Sequence, residues 1–237
     1  DRSRLKPGDG SLMTTVTVPE TGERFDLDRP GALAAWNRAL NRRYGMENLS
    51  GHPSAIVRRI EARRRAHVAA LAAARPFEVA VDLGAEDGSL AATWAGAGKR
   101  TLLLDIDPRG LRGAGHEGVV GDACRIPLRS GSVDLVVLSA ILEHLPDPGA
   151  AVAESARVLR AGGRLVAYVP WDRAVVRLKR WARRVGFGLG KLHAGRAPGH
   201  LQEFDRRGLQ RLLRPWFARS RVRLHLRSLG YYAEAYK

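Results

Sequence analysis

The segment Phe77–Leu90, with the sequence FEVAVDLGAEDGSL, constrains the fold of this chain more than any other segment. Its apolar run ends at Asp82, and Gly84 and Gly88 follow before a helical pattern over Ser89–Trp94. A continuous apolar run is typical of a buried parallel strand, and glycine allows the backbone to turn sharply beside a ligand. The segment therefore predicts a strand, a ligand-binding loop and a helix, the arrangement that opens a Rossmann-like nucleotide site.

Further apolar segments follow this loop and alternate with helical ones. Asp105 ends the next segment about 20 residues after the loop, where a carboxylate can accept hydrogen bonds from both hydroxyls of a ribose. The alternation predicts an α/β fold, with a parallel sheet wound on both faces. The predicted strands are Arg100–Asp107, Gly118–Val120, Ser132–Ser139 and Arg164–Pro170. A helix is predicted after Ile141–Pro148. It ends near Arg160, and Gly162-Gly163 breaks it.

Five motifs between Phe77 and about Pro170 carry a resemblance to a known family. They are DLGAEDG, LLLDIDP, GDACRIPL, SVDLVVLSAILEHLPDP and ARVLRAGGRLVAYVP, in this order. This part of the chain resembles class I S-adenosylmethionine-dependent methyltransferases. It is most similar to the ubiquinone/menaquinone-methyltransferase-like group, which modifies small molecules. The resemblance implies a Rossmann-like, seven-stranded, mostly parallel sheet that ends in an antiparallel C-terminal hairpin.

The resemblance also implies which residues hold S-adenosylmethionine and its product S-adenosylhomocysteine. The glycine loop would hold the amino-acid end of the cofactor, and Asp105 would bind the ribose. The Gly121-Asp122-Ala123 segment would bind the adenine. The implied cofactor-binding residues are Asp82, Leu83, Gly84, Ala85, Gly88, Asp105, Ile106, Asp122, Ala123 and Ser139. The chain departs from the family at Glu86, where glycine is usual.

Two other interpretations of these motifs exist. Asp82 and Asp105 also suit positions that cap the helices after strands. A nicotinamide-dinucleotide domain also begins with a strand, a glycine loop and a helix. However, the loop lacks the G-x-G-x-x-G spacing, and Gly121-Asp122-Ala123 has no counterpart in that fingerprint. The ordered motifs therefore favour the methyltransferase interpretation.

The formal net charge of +16 lies outside the predicted sheet. Residues 77–170 carry a net charge of −3, residues 1–76 carry +6 and residues 171–237 carry +13. Positive charge in the flanks is expected to interact with the acceptor, or with a surface that carries the acceptor, and not with the methyl donor. No apolar run reaches ~18 residues, so no membrane span is expected. A single cysteine, Cys124, suits a reducing cytoplasm.

Residues 1–76 are predicted to form an N-terminal extension and helical lid. The helix Pro30–Tyr44 places Leu33, Trp36 and Leu40 on one face, and Tyr44 and His52 are placed near the acceptor entrance. The second helix, Ser54–Ala74, is predicted to bury Ile56, Ile60, Val68 and Leu71 and to expose Arg58, Arg59, Arg63, Arg64 and Arg65. Residues 1–12 lack the apolar segment of a secretory signal, and Met13 is a candidate start.

Residues 77–237 are predicted to form the methyltransferase domain, with a basic acceptor-side insertion at about 171–205. Its helix Asp172–Val185 carries an apolar stripe of Val175, Leu178, Trp181 and Val185 among basic residues. Such a helix either lies on an anionic membrane or packs on the sheet with its basic face in solvent. A helix near Arg206–Arg214 and strands Arg221–Leu226 and Tyr231–Tyr236 complete the domain.

The predicted reaction is displacement at a sulfonium methyl group by an acceptor atom. His144 and His200 are candidate bases, because imidazole titrates near neutrality, although a structural hydrogen bond would also explain His144. No metal ligand is predicted. The predicted function is methylation, at oxygen, of a small molecule, a glycan or a lipid-linked intermediate, in the cytoplasm or at the membrane periphery. An RNA methyltransferase ranks second because only bulk charge favours it, and a non-catalytic cofactor-binding scaffold, motivated by Glu86, is third.

Overall fold

A computed structural model describes residues 15–18, 21–27, 29, 31–44, 54–96, 98–111, 115–184 and 199–237, without the side chains of residues 41–44, 179, 182 and 183. The predicted roles of Tyr44, His52 and Val185 lie outside the described parts. The described strands are β1 (Thr15–Thr17), β2 (Arg24–Asp26), β3 (Val79–Leu83), β4 (Arg100–Asp105), β5 (Glu117–Val120), β6 (Val133–Ser139), β7 (Leu159–Pro170), β8 (Arg219–His225) and β9 (Gly230–Tyr236). The described α-helices are α1 (Ala32–Tyr44), α2 (Ala55–Ala73), α3 (Pro108–Leu111), α4 (Pro148–Val158), α5 (Asp172–Arg184) and α6 (Arg206–Leu213).

Seven of these strands form one sheet in the order β5-β4-β3-β6-β7-β9-β8. The neighbouring pairs from β5 to β7 are parallel, whereas β9 is antiparallel to both β7 and β8. The predicted doubly wound sheet with an antiparallel C-terminal hairpin is therefore confirmed. The strand order reverses between β3 and β6, and the carboxyl ends of strands at such a switch point open into a crevice.

Apolar layers cover both faces of the sheet. Val68 and Ala72 of α2 pack with Phe77 and Leu103 on one face, while α4 and α6 contribute to the core on the other face through residues such as Val152. A separate small cluster joins Trp36 of α1 to the β1–β2 hairpin. Of the two helices predicted as a lid, α2 thus packs on the sheet itself.

The predicted helix at Ser89–Trp94 is wrong in extent, because only a 3-10 turn at Ala91–Thr93 forms. The segment between Gly88 and Gly96 is too short for more than about two helical turns. The predicted break at Gly162-Gly163 is also misplaced. The preceding helix ends at Val158, and β7 begins at Leu159 and runs through both glycines.

The predicted faces of α2 need two corrections. Ile56 is 53% exposed, and Arg64 is largely buried although it was expected in solvent. The face that meets the sheet carries Glu61, Arg64, Val68 and Ala72, which recur every three or four residues and therefore share one side of the helix. Arg64 pairs with Glu61, so neither charge is buried without a partner.

Candidate functional site

A cleft of about 550 Å³ opens at the carboxyl ends of β3 to β6. Helix α1 borders it through Leu33, Asn37 and Leu40, so this helix lies where a lid would. The other lining residues are Gly84, Glu86, Asp87, Leu104, Asp105, Ile106, Asp107, Arg109, Gly110, Gly121, Asp122, Ala123, Ala140, Ile141, His144, Leu145 and Gly199. The cleft therefore collects residues from each of the predicted motifs after strands β3 to β6.

The glycine loop after β3 is held against β4 by its backbone. The amides of Gly84 and Ala85 donate to the carbonyl of Leu104 at 2.8 and 3.3 Å. Gly84 has a φ of +72°, and a Cβ there would lie 2.8 Å from Cδ1 of Ile141. This position consequently requires glycine for its conformation and for its lack of a side chain.

Glu86 keeps the shape of the loop despite replacing the usual glycine. Its φ is +48°, in the left-handed region that glycine adopts without penalty. For a residue with a Cβ this conformation costs about 1–2 kcal/mol. The amide of Glu86 donates to Oδ2 of Asp105 at 3.0 Å. The side chain reaches solvent at the cleft, yet the surrounding protein reduces its hydration and raises the pKa of the carboxyl to about 7.

Asp105 is fixed at the end of β4 and faces the cleft. Its Oδ1 accepts from the amide of Asp107 at 2.8 Å, and its Oδ2 accepts from Glu86. Each carboxylate oxygen can accept more than one hydrogen bond, so both remain able to take a ligand hydroxyl. Partial burial raises the pKa of this carboxyl above its usual range. Asp105 therefore presents a carboxylate in a fixed orientation to the cleft.

Asp82 lies beneath the loop, outside the set of residues that line the described cleft. It is almost fully buried, and its Oδ2 has no hydrogen-bond partner among the described residues. Burial raises the pKa of this carboxyl to about 8; Arg64 opposes the shift, and Glu86 and Asp105 add to it. Asp82 is therefore a buried acid that a cationic group in the cleft would help to ionise.

The segment predicted to bind adenine, Gly121-Asp122-Ala123, lines the cleft, whereas Ser139 is not among the lining residues. Asp122 and Ala123 line the cleft, and Oδ1 of Asp122 accepts from the amide of Cys124 at 2.8 Å. Ser139, at the end of β6, instead accepts from Nη1 of Arg64 at 2.5 Å. Ala140 and Ile141 take the cleft-lining position next to it. Of the other predicted cofactor residues, Ile106 lines the cleft, whereas Leu83, Ala85 and Gly88 lie behind it in the described structure.

The two predicted histidines come together at the cleft. Their ring centroids are 4.9 Å apart in an edge-to-face arrangement. His144 lines the cleft, whereas His200 lies behind it and contacts the carboxylate of Asp172 through Nδ1 at 2.8 Å. Burial lowers the pKa of His144 to about 3, so this ring stays neutral at physiological pH.

Glu143, whose adjacency to His144 made an acid–histidine pairing possible, is fully buried beside it. Two further side chains at this site escaped prediction. Asp172 begins α5 and holds His200. Arg64 reaches Ser139 from α2, a sequence separation of 75 residues. The adjacency of Glu143 and His144 after a predicted strand was a visible signal. The partners 28 and 75 residues away carried none, because only the fold brings them together.

Comparison with known proteins agrees with the geometry. Residues 81–167 match a family model described as a methyltransferase domain. A demethylmenaquinone methyltransferase from Beutenbergia cavernae is 38% identical over 109 residues, which are 44% of this chain and 45% of that protein. A malonyl-[acyl-carrier protein] O-methyltransferase from Serratia marcescens is 33% identical over 98 residues, 39% and 38% of the two chains. The chain thus spans less than half the length of these curated relatives.

The chain carries a class I S-adenosylmethionine-dependent methyltransferase domain.

Solved structures support the fold of this methyltransferase domain. An S-adenosylmethionine-dependent methyltransferase from Thermotoga maritima has a TM-score of 0.61 at 17% identity and is matched over 84% of this chain and 98% of its own. The N-methyltransferase NodS from Bradyrhizobium japonicum, crystallised with S-adenosylhomocysteine, has a TM-score of 0.58 at 15% identity over 84% and 97% of the two chains. At these identities the likeness concerns the fold alone.

The residues of the methyltransferase domain fit its cofactor, S-adenosylmethionine. The cleft offers a bare backbone edge at Gly84 and a fixed carboxylate at Asp105. Asp82 supplies a buried oxygen without a partner, which suits a cationic ligand nearby. The carboxylates at the cleft thus suit a nucleoside joined to a cationic amino-acid tail.

None of the helices in the described ranges has the length and apolarity required to cross a bilayer.

Proposed function

We propose that this protein is an S-adenosylmethionine-dependent methyltransferase that acts on a small-molecule acceptor. The observation that carries this proposal is one cleft lined by two chemically different sets of residues. Asp105 and Asp122 suit a nucleoside, and His144 and the α1 residues Leu33, Asn37 and Leu40 line the same cleft. Such a division suits a donor and an acceptor that meet in the middle.

On the donor side, the residues of the cleft bind and orient the cofactor. Asp105 accepts from the ribose hydroxyls, Asp122 accepts from the adenine amino group, and the amide of Ala123 donates to a ring nitrogen. The glycine loop holds the amino-acid tail, with Glu86 close enough to meet its positive charge. When bound, the cofactor supplies a sulfonium methyl group for nucleophilic displacement. The protein contributes mainly alignment and the exclusion of water.

On the acceptor side, His144 contacts the reacting group. Neutral His144 can accept a hydrogen bond from an acceptor hydroxyl, which favours methylation at oxygen. His200 and Asp172 hold His144 in place from behind. Acceptors of this kind include hydroxylated small molecules, glycans and lipid-linked intermediates. A non-catalytic scaffold has no specific support, because Glu86 preserves the left-handed turn of the loop.

Helix α5 supports a peripheral contact with an anionic membrane for a lipid-linked acceptor. Leu178 and Trp181 are 47% and 60% exposed, and Arg177, Arg180 and Arg184 are exposed on the same helix. An exposed aromatic and aliphatic pair among arginines is the pattern of a helix that lies in a membrane interface. No RNA-binding element of comparable definition accompanies the positive charge in the described structure.

Calorimetric titration with S-adenosylhomocysteine tests the proposed donor site. We expect one binding site in the wild type, and a loss of about 1–3 kcal/mol in Asp105→Ala, because the ribose hydroxyls lose a buried partner. Glu117→Gln is the control, since Glu117 forms an exposed ion pair with Arg100 at the start of β5, away from the cleft. Equal affinity in the wild type and Asp105→Ala, with both proteins folded, would contradict the assignment.

A further inference from the structure

Glu143, His144 and His200 form a compact group, the acceptor-side cluster. One potential ligand atom from each residue lies within 4.8 Å of the others. Glu143 is only 1% exposed, and neither of its carboxylate oxygens has a hydrogen-bond partner among the described residues. A buried carboxylate is normally hydrogen-bonded, paired or bound to a metal. Its two unpartnered oxygens therefore point to a missing positively charged ligand.

Both imidazoles of the acceptor-side cluster are oriented by a partner at Nδ1. Nδ1 of His144 lies 2.9 Å from the carbonyl oxygen of Gly199. A carbonyl only accepts, so Nδ1 carries the hydrogen and the lone pair is on Nε2. Nδ1 of His200 lies 2.8 and 3.0 Å from the two carboxylate oxygens of Asp172, with the same consequence. Histidines that bind metals have this arrangement, in which a carbonyl or carboxylate holds the nitrogen opposite the metal.

The backbone holds the two histidines together across 56 residues of sequence. The amides of Leu201 and Gln202 donate to the carbonyl of Glu143 at 2.7 and 3.0 Å. Nε2 of Gln202 donates to the carbonyl of Pro146 at 3.3 Å. At Gly199, a Cβ would lie 2.9 Å from Nδ1 of His144, so the close approach depends on glycine. The acceptor-side cluster is therefore fixed by the fold before any ligand arrives.

We propose that the acceptor-side cluster binds one divalent transition-metal cation, with Zn²⁺ as the best match. Two imidazole nitrogens and one carboxylate oxygen form a three-ligand set that leaves a fourth position for water or substrate. Mg²⁺ and Ca²⁺ prefer sites built from oxygen alone, so this set disfavours them. Ligands at ~2.1 Å from zinc lie ~3.5 Å apart, and one potential ligand atom from each residue already lies within 4.8 Å of the others.

His144 lines the cleft, so a cation held on its Nε2 lies beside the space for the acceptor, and an acceptor hydroxyl then meets the cation in place of Nε2. This functional extension rests on the proposed methyltransferase activity, whereas the metal site itself does not. An acceptor hydroxyl bound to the cation has a lowered pKa and releases its proton to water. The oxygen then forms the C–O bond with the methyl group, while the electron pair of the C–S bond remains on sulfur. The site thus selects acceptors that carry a hydroxyl group able to bind the cation.

Zinc affinity of the chelator-stripped 237-residue chain tests the proposal. We expect one equivalent of Zn²⁺ to bind in competition with a chromophoric chelator, and Co²⁺ to give the visible absorption of a low-symmetry nitrogen and oxygen site. Asp172→Asn weakens the orienting contact of His200, so it lowers the affinity by about 10–100-fold. Glu143→Gln and His200→Ala remove ligands and lower the affinity further.

His225→Ala is the matched control, because His225 stacks on His67 and contacts Ser228, apart from the acceptor-side cluster. Its zinc affinity stays at the wild-type value if the proposal holds. Binding of S-adenosylhomocysteine, measured on the same samples, reports separately on the fold and on the proposed function. The metal site is excluded if wild-type protein that binds S-adenosylhomocysteine takes up no stoichiometric Zn²⁺, or if the ligand variants bind it equally well. Zinc uptake without S-adenosylhomocysteine binding would instead contradict the methyltransferase proposal.

Discussion

Glu86 shows how one residue can depart from a family pattern without loss of the local structure. Its left-handed backbone meets the geometric demand of the loop, and its side chain adds a carboxyl to the cleft. Gly110 packs so closely on the backbone of Glu86 that a Cβ at residue 110 would lie 2.5 Å from its carbonyl oxygen. The loop is thus held by α3 as well as by Asp105. What changes relative to glycine is mainly the charge.

That charge makes cofactor binding depend on pH. The pKa values of Glu86 and Asp82 are raised to about 7 and about 8 in the folded protein. A positively charged ligand favours the ionised carboxyls, so its binding releases protons. We expect the affinity for S-adenosylmethionine to rise between about pH 6 and 8. Glu86→Gln removes the part of this rise near pH 7 and leaves the part near pH 8.

Titration calorimetry in buffers of different ionisation enthalpy measures the protons released. S-adenosylhomocysteine is the control ligand, because it lacks the sulfonium charge and should show a smaller rise. A Glu86→Gln variant with the wild-type pH profile would exclude the role of Glu86.

The stability of the free protein depends on pH in the opposite direction to the cofactor affinity. Acids with raised pKa values stabilise the free protein fully below their unfolded pKa of about 4, and this stabilisation is lost as the pH rises through about 7 and 8.

At the scale of elements, β7 holds the end of α2 through one side chain. Arg164 is 4% exposed, and its guanidinium donates to the carbonyls of Leu71, Ala72 and Arg75 at 2.6, 2.5 and 3.2 Å. These carbonyls lie at the C-terminal end of the helix, where a cation also meets the favourable end of the helix dipole. The contact fixes α2 on the sheet and so positions Arg64 near Ser139.

Arg164→Met should lower the free energy of unfolding by about 2–3 kcal/mol, since buried carbonyls lose charged hydrogen-bond donors. Urea unfolding followed by tryptophan fluorescence gives the value. Arg100→Met is the control, because Arg100 forms an exposed ion pair with Glu117 and its loss costs less than about 1 kcal/mol. Similar losses in both variants would show that Arg164 has no special role in holding α2.

Elements whose burial follows from a continuous pattern were predictable, and those set by distant partners were not. The core strands followed directly from apolar runs that end in acidic residues, as at Asp105. The burial of Arg64 depends on Glu61 and on the end of β6, which no local pattern reveals. The same applies to the acceptor-side cluster. His144 and His200 were predicted as candidate bases. The contact between their rings, however, depends on Leu201 and Gln202, whose amides donate to the carbonyl of Glu143.

Over the whole molecule, charge is divided between a mildly acidic methyltransferase core and basic flanks. Residues 77–170 carry −3 and residues 171–237 carry +13. The basic residues of the C-terminal flank occupy at least two separate surfaces. One is α5 with Arg177, Arg180 and Arg184, and the other is the edge strand β8, which carries Arg219, Arg221 and Arg223 in exposed positions. The α5 surface combines charge with exposed Leu178 and Trp181, whereas the large apolar side chain exposed on β8 itself is Leu224, at 39%.

This difference gives a test with equal charge changes on the two surfaces. Replacing Arg177, Arg180 and Arg184 with Gln should weaken binding to anionic vesicles by about 1 kcal/mol per charge, because each arginine loses its attraction to the lipid surface. The same replacement of Arg219, Arg221 and Arg223 should weaken vesicle binding less, since β8 itself exposes Leu224 but no aromatic side chain that could anchor in the interface. Vesicle cosedimentation at increasing fractions of anionic lipid measures both. Equal losses in the two variants would indicate bulk charge alone, and a flattened salt dependence of RNA binding without a vesicle effect would favour an RNA acceptor.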